Sequence, residues 1–285
     1  MIVVTGATGN IGRPLVDQLL VRGARVRALT RSPKRAGLPA AVETVRADFT
    51  SGKAMETALE GADALYLNLA GVGDPETAAQ LVGAAAASGV RRIVMLSSYA
   101  VTDTAFDEEN IILQMHAMVE RAVRDSGLEW TLVRSGLLAA NALPWAEPIR
   151  TTGVVRGPNA SVAQALVHEA DIAAVSAEAL LDASGTHQGK VYRLTGPERL
   201  TPVQQVAVIG RAVGRELRYE ELSREAVVDQ MVGGGLPRVV AEAFVHWTEE
   251  GGERVSMVSP DVERVTGRPG RTFAEWVNDH LADFK

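Results

Sequence analysis

The chain has no cysteine, which excludes disulfides, a thiolate nucleophile and cysteine-ligated metal. Lysine is nearly as scarce, confined to Lys34, Lys53, Lys190 and Lys285, and is heavily outnumbered by arginine, a bias of the kind that genome composition produces. Aromatic residues make up only 5% of the 285 positions. No apolar run approaches the ~20 residues that a membrane-spanning helix requires. Basic character is also missing, because the formal net charge is −6, opposite to what a general nucleic-acid binder needs. The first apolar strand starts at residue 2 and leaves no room for a signal peptide, so a cytoplasmic protein is expected. The chain is 46% hydrophobic. At this length it can bury a large core, as one elaborated domain or two joined ones. It has no internal repeat and no low-complexity segment.

The most informative stretch is Thr5-Gly6-Ala7-Thr8-Gly9-Asn10-Ile11-Gly12, directly after the apolar run Ile2-Val3-Val4. A strand entering a glycine-punctuated turn that opens a helix lets backbone N–H groups and the helix N-terminus close on a pyrophosphate. The spacing is Gly-x-x-Gly-x-x-Gly. A glycine triplet alone is a weak signal, but the flanking context is complete, with a preceding strand, a helix over 13–22 and a second strand over 25–29. Gly6, Thr8, Gly9, Asn10, Ile11 and Gly12 are therefore candidate dinucleotide contacts.

The second strand bears on which nucleotide binds. NAD sites place an acidic residue about 20 residues beyond the glycines, whereas NADP sites place arginine there. This strand runs into Thr30-Arg31-Ser32-Pro33-Lys34-Arg35, with no Asp or Glu before Glu43. A carboxylate would repel a 2′-phosphate, while Arg31 offers a fork of donors and Lys34 adds charge. NADP(H) is the expected cofactor.

Strands and helices alternate through the first half: strands over 42–46, 64–69, 92–96 and 130–134, and helices over 52–60, 75–88 and 109–126. That alternation predicts an α/β fold, a Rossmann-type doubly wound parallel sheet. Residues 1–134 form the dinucleotide-binding domain, with 165–195 rejoining it. Asp171 is read as the N-cap of a helix over 171–181, and 191–194 as a strand returning to the sheet. Residues 135–164 lack a sustained period and read as loops and short strands. Together with 196–285, where helices dominate and Gly233-Gly234-Gly235 forms a flexible interruption, they make a smaller, mainly helical C-terminal substrate-binding cap. Ligands of such sheets sit beyond the carboxyl ends of the strands. On that rule Asp48 and Phe49 border an adenine. Leu69, Ala70 and Gly71, in a loop over 69–73, line the nicotinamide-ribose side, and Ser97, Ser98 and Tyr99 end a strand facing the cleft.

With the opening glycine turn and Arg31, the stretches Asp125-Ser126-Gly127-Leu128-Glu129-Trp130-Thr131-Leu132-Val133-Arg134, Asp171-Ile172-Ala173-Ala174 and Leu194-Thr195-Gly196-Pro197-Glu198 resemble the NmrA-like group of atypical short-chain dehydrogenases/reductases. The resemblance runs from residue 2 to about 225. The group includes NAD(P)H:quinone oxidoreductases, isoflavone-reductase-like enzymes and regulators that bind the nucleotide without turning it over. Typical members of the wider superfamily carry Tyr-x-x-x-Lys on a helix, which puts both side chains on one face and lets the lysine stabilise a proton-exchanging phenolate. This chain has none: the residues four beyond Tyr66, Tyr99, Tyr192 and Tyr219 are Ala70, Asp103, Gly196 and Ser223.

Many atypical members keep Lys-x-x-x-Glu on that helix, and the matching segment here is His116-Ala117-Met118-Val119-Glu120, with Ile112 at the tyrosine position. The resemblance implies either that His116 takes over proton donation or a ribose hydrogen bond, or that it fills a helix face beside the cofactor. Ser97 and Tyr99 are the other candidate catalytic donors, and Ser97 and His116 are also counted as cofactor contacts. Asn141 matches an asparagine that borders the nicotinamide pocket in the family, with a loop-capping role as its plain alternative.

Trp145 lies in the segment over the cleft. Phe244, His246 and Trp247 share a helix, where they line a pocket for a planar molecule or belong to the core. His168-Glu169-Ala170-Asp171 does not have metal-ligand spacing, and no metal is expected. Expected partners are a small planar or conjugated substrate and at most a second copy of the chain, with no nucleic acid or membrane. The leading expectation is an NADPH-dependent reductase passing hydride to a quinone, enone, imine or carbonyl without Tyr-x-x-x-Lys. The alternatives are an NADP(H)-sensing regulatory protein without turnover and a non-redox cyclase or isomerase on the same fold.

Overall fold

In the computed structural model, which describes residues 1–49, 51–101, 110–250 and 256–285, the run after Met1 forms strand β1 (Ile2–Thr5), buried along its whole length. Helix α1 (Gly12–Val21) follows and turns Leu15, Val16 and Leu19 inward. After it come β2 (Val26–Thr30), a 3-10 turn (Pro33–Arg35), β3 (Glu43–Arg46), α2 (Gly52–Leu59), β4 (Ala64–Asn68), α3 (Leu69–Val72), α4 (Pro75–Ala87) and β5 (Arg92–Ser98). Helix α5 (Ile111–Asp125) leads to β6 (Glu129–Ser135), and α7 (Glu169–Leu181) to β8 (Lys190–Leu194). Between them lie a 3-10 segment (Ala139–Trp145), α6 (Ala146–Thr151) and β7 (Val154–Gly157). The chain closes with α8 (Pro202–Val213), β9 (Arg218–Glu221), α9 (Arg224–Gly233), α10 (Arg238–Glu250), α11 (Asp261–Thr266), α12 (Phe273–Asp279) and α13 (Leu281–Phe284).

Seven strands form one parallel sheet in the order β3-β2-β1-β4-β5-β6-β8. The chain works outward from β1 to β3, then crosses back to pair β4 with β1, so the order reverses between β1 and β4. In doubly wound sheets that switch point is where ligands bind. Both faces are covered, and the inner strands are accordingly apolar without alternation. On one side Leu65, Leu67, Ile93 and Met95 meet Met55, Leu59, Leu81 and Val119. On the other, α7 buries Ile172, Ala173, Ala174 and Val175 completely, and each fully buried branched aliphatic contributes about 1.5–3 kcal/mol.

The described backbone divides into two compact units. The sheet unit comprises residues up to 101, 113–135 and 169–193; the second comprises 110–112, 136–168 and the described residues from 194 on. In the second unit Trp276 is fully buried, stacked on Phe273 at 5.3 Å with Phe284 edge-on at 6.0 Å. A parallel two-stranded ribbon pairs β7 with β9. The Leu194–Glu198 stretch has a structural reason in this unit. A Cβ on Gly196 would sit 2.0 Å from the Leu166 carbonyl, and Glu198 accepts the Phe273 N–H at 2.9 Å, capping α12.

Four local expectations need correction. The 69–73 segment is the helical turn α3 rather than a loop, because Asn68 Oδ1 caps it by accepting the Ala70 N–H at 3.1 Å. Helix α7 begins at Glu169, so Asp171 stands in its first turn, buried, instead of preceding it. The 135–164 segment contains a 3-10 stretch and a helix as well as a short strand. Gly233 ends α9 and Gly234 is its C-cap, so the glycine run begins inside the helix. The expected start of α5 at Glu109 lies outside the described residues.

Candidate cofactor site

The switch point is built around glycine. Gly6 adopts φ +65°, a left-handed conformation open to glycine at no steric cost. It folds the turn so that the Gly9 N–H reaches the Gly6 carbonyl at 3.0 Å. A Cβ on Gly12 would lie 2.1 Å from that same carbonyl and 2.8 Å from the Ala7 Cα. Any side chain there would drive α1 off the turn. Gly71, in α3 after the neighbouring strand, is equally constrained, its Cβ falling 2.4 Å from the Gly6 nitrogen.

Two residues that glycine spacing does not reveal lock this junction. Thr5 Oγ1 accepts the Asn68 N–H at 2.7 Å and donates to the Tyr66 carbonyl at 3.2 Å, which ties the ends of β1 and β4. Asn68 Nδ2 lies 3.0 Å from where a Gly6 Cβ would stand.

Helices α2, α4, α8, α9 and α12 each start with a Ser, Thr or Asp side chain accepting a first-turn amide. Helix α1 has no such cap; Ile11 is its N-cap residue. Its N-terminal amides and the positive end of its dipole stand beside exposed Thr8, Gly9 and Asn10. The next loop carries Arg31 and Lys34, both exposed, on and beside the 3-10 turn. Asp48 is exposed, whereas Phe49 is half-buried against the core. Leu69 is buried, Gly71 half-buried and Ala70 exposed in α3.

At the end of β5 the three candidate donors part ways. Ser97 is 3% exposed and donates its hydroxyl hydrogen to Glu120 Oε1 at 2.6 Å, so it faces inward rather than toward an open cleft. Glu120 also accepts from Arg134 Nε at 2.9 Å and Nη2 at 2.7 Å. The result is a buried carboxylate–guanidinium pair that clamps α5 to β5 and β6. Tyr99 is largely buried; its N–H donates to the Ser135 carbonyl at 2.8 Å, and the Arg193 guanidinium lies 5.9 Å from its ring centre. His116 is half-buried one helical turn before Glu120, and Ile112 one turn before that.

In the second unit, Asn141 is exposed in the 3-10 segment. Trp145 is half-buried and meets Tyr219 edge-on at 6.2 Å, and the Tyr219 hydroxyl donates to the Pro158 carbonyl at 2.6 Å. Burial pushes the Tyr219 phenol far above its ordinary pKa. Phe244 and Trp247 are half-buried on α10, and Asn159, at φ +57°, donates to Thr248 Oγ1 on that helix. Among the described residues, no three His, Asp or Glu side chains cluster as metal ligands, and no helix is long and apolar enough to cross a membrane. His168 pairs with Asp279 at 3.2 Å.

Comparison with known proteins identifies the family of the chain. A family model described as NAD(P)H-binding matches residues 6–183. The chain belongs to that NAD(P)H-binding family, within its NmrA-like branch of atypical short-chain dehydrogenases/reductases. The (4-alkanoyl-5-oxo-2,5-dihydrofuran-3-yl)methyl phosphate reductase of Streptomyces griseus subsp. griseus is 40% identical over 288 residues, covering 100% of this chain and 99% of that protein. The NAD(P)H azoreductase of Xenophilus azovorans is 31% identical, with coverage of 100% and 99%. The NADPH complex of an NADPH-dependent quinone oxidoreductase from Escherichia coli superposes with a TM-score of 0.83 at 28% identity, over 99% of this chain and 100% of that one.

This NAD(P)H-binding family member uses NADP(H) and is an NAD(P)H-dependent oxidoreductase acting on small molecules. The geometry suits that cofactor. Gly12 and Gly71 let α1 and α3 close on the Gly6 backbone where a Cβ would clash, the N-terminus of α1 carries no side-chain cap, and the loop after β2 presents cations where an acidic residue would discriminate against a 2′-phosphate.

Proposed function

We propose that this protein reduces electron-poor conjugated acceptors with NADPH: quinones, acyl-substituted furanones and related enones, and azo compounds. The feature that carries the reading is helix α5, where the resemblance puts Ile112 and His116 at the positions of the Tyr-x-x-x-Lys pair. An aliphatic side chain offers no phenolic proton. Ketone reduction to an alkoxide needs a strong positioned acid, and general acid catalysis of that kind contributes about 10²–10⁴-fold. Acceptors that spread the incoming negative charge over carbonyl oxygens or a second nitrogen need far less help. The furanone phosphate, azo and quinone substrates in the names of the similar proteins share this property.

In this reading Gly6, Thr8, Gly9, Asn10, Ile11 and Gly12 hold the pyrophosphate, and Arg31 and Lys34 the 2′-phosphate. Asp48 and Phe49 border the adenine, and Leu69, Ala70 and Gly71 the nicotinamide ribose. The bound nicotinamide supplies a hydride. His116 donates or relays the proton that completes the reduced product, or hydrogen-bonds the ribose, and Tyr99 is the second donor. Ser97 acts through Glu120, to which its hydroxyl is bonded. Acceptor recognition falls to Asn141, Trp145, Phe244 and Trp247 of the second unit.

The test follows NADPH oxidation with a 1,4-quinone, a 2-acylbutenolide and an unactivated cyclic ketone. Expected is a kcat/KM for the conjugated acceptors at least about 100-fold above that for the ketone, the scale of a missing general acid. Comparable efficiency on the ketone would refute the proposal. Replacement of His116 by Ala should lower kcat for the butenolide by roughly tenfold or more and affect the quinone less.

A further inference from the structure

Arg13 follows the last glycine of the phosphate turn and occupies the first turn of α1. Its guanidinium reaches across to the loop after β2. Nη1 donates to the Gly37 carbonyl at 2.7 Å and Nη2 to the Ala36 carbonyl at 2.9 Å. Those carbonyls lie just beyond the 3-10 turn Pro33–Arg35. Ala36 is buried, and Gly37 takes φ +58°, a left-handed conformation that suits glycine. Within the turn, the Arg35 N–H reaches the Ser32 carbonyl at 3.0 Å and the Ala36 N–H the Pro33 carbonyl at 3.2 Å.

The segment bearing Arg31, Lys34 and Arg35 is therefore held at one end by β2 and at the other by Arg13. Three exposed cations close in sequence repel one another, and a short exposed segment gains entropy by unfolding. Two parallel charge-assisted bonds from one planar fork oppose both tendencies, and a lysine ammonium could not reproduce that fork.

We propose that Arg13 is a positioning residue that sets the preference for 2′-phosphorylated nucleotides by holding the Arg31–Lys34 loop in its binding shape before ligand arrives. The inference rests on the reading that Arg31 and Lys34 meet the 2′-phosphate. It adds that recognition of this phosphate is coupled to α1, the same helix whose N-terminus faces the pyrophosphate. Preorganisation of this kind raises affinity by removing the ordering cost from the binding step.

The test is calorimetric binding of adenosine 2′,5′-bisphosphate and of AMP to the full chain and its R13A, R13K, R31A and K34A variants, alongside KM for NADPH and NADH. In R13A the bisphosphate should bind about tenfold more weakly, the scale of a lost charged hydrogen-bond pair, and AMP less than about twofold. The KM for NADPH should rise while that for NADH and kcat stay near wild type, with R13K in between. Because R13K keeps the charge but not the planar fork, it answers the question should R13A unfold.

If R13A keeps the wild-type ratio of the two affinities while R31A loses it, the inference falls and the 2′-phosphate reading stands. Equal weakening of both ligands in R13A also overturns it, because Arg13 would then act on the shared part of the nucleotide. If R31A and K34A both keep the wild-type ratio, the reading of the loop fails, and the inference with it.

Discussion

Removing the Glu120 side chain tests how the sheet unit holds α5. Its carboxylate receives three donors, from the Ser97 hydroxyl at 2.6 Å, Arg134 Nη2 at 2.7 Å and Arg134 Nε at 2.9 Å. Glu120 is 3% exposed and Arg134 1%, so water cannot replace a lost partner. Glu120→Ala removes the carboxylate that Arg134 Nε and Nη2 both bond, and breaking a buried pair from one side costs about 3–5 kcal/mol. For a chain of this size each kcal/mol moves Tm by roughly 2–4 °C, so a fall of about 10 °C is expected. The Arg124 contact at 3.8 Å is on the half-exposed side and adds little.

Glu120→Gln keeps the shape but presents an N–H₂ to one of the arginine donors, and should cost nearly as much. Glu120→Leu combined with Arg134→Met removes both charges and should recover most of the loss, because apolar replacement of a whole buried pair is often neutral. The assay is thermal unfolding followed by circular dichroism, read as a double-mutant cycle. A cost below about 1 kcal/mol for Glu120→Ala, the range of exposed pairs, would refute the argument. Because His116 stands one turn along the same helix, kcat should also fall in Glu120→Ala at temperatures where the variant is fully folded.

Two further perturbations follow from the geometry. Gly12→Ala puts a Cβ 2.1 Å from the Gly6 carbonyl; it should cost about 1–3 kcal/mol as overpacking and weaken NADPH binding in a fluorescence titration, and unchanged binding would mean the turn is not the phosphate cradle. Partial burial pushes the Asp182 carboxyl up, but the Ser184 hydroxyl and the His187 and Ser184 amides outweigh it and hold it well below the usual carboxylate range. With the folded pKa depressed, this stabilisation is fully present above the unfolded value of about 3.9 and is lost as pH falls below it. Urea denaturation should therefore show Asp182→Ala less stable than wild type at pH 7, with the gap closing in acid; a gap that stays constant from pH 7 to 3 contradicts this origin.

What could be read from the residues alone follows physical range. Gly6, Gly9 and Gly12 act on their own backbone and on the helix that starts beside them, so their spacing carries the glycine turn openly. The apolar runs of β1, β4 and β5 reveal a sheet covered on both faces, because burial on both sides removes the alternation. The expectation of NADP(H) was legible because discrimination at the 2′ position depends on charge sign at the end of one strand. The 69–73 segment reads as a loop for the same reason in reverse: only four residues are helical, held by a single side-chain cap from Asn68.

Glu120 shows where such reading stops. On α5 it sits four residues after His116, and the sequence shows it only as the last residue of the segment matched to Lys-x-x-x-Glu. Its partners come from β5 and β6, 23 and 14 residues away in sequence, and no spacing rule joins a helix carboxylate to strand residues at those distances. The pairing exists because β5 and β6 lie in register with Ser97 opposite Arg134. That register brings a hydroxyl and a guanidinium side by side under one helix turn. Register is a property of the assembled sheet, so the charge that clamps α5 could be recognised only once the strands were in place. The same holds for Arg13, whose acceptors are backbone carbonyls that every residue possesses. The signals carried by residue type are legible; those carried by tertiary register and main-chain acceptors are not, and the second kind decides how this cofactor loop and the His116 helix are held.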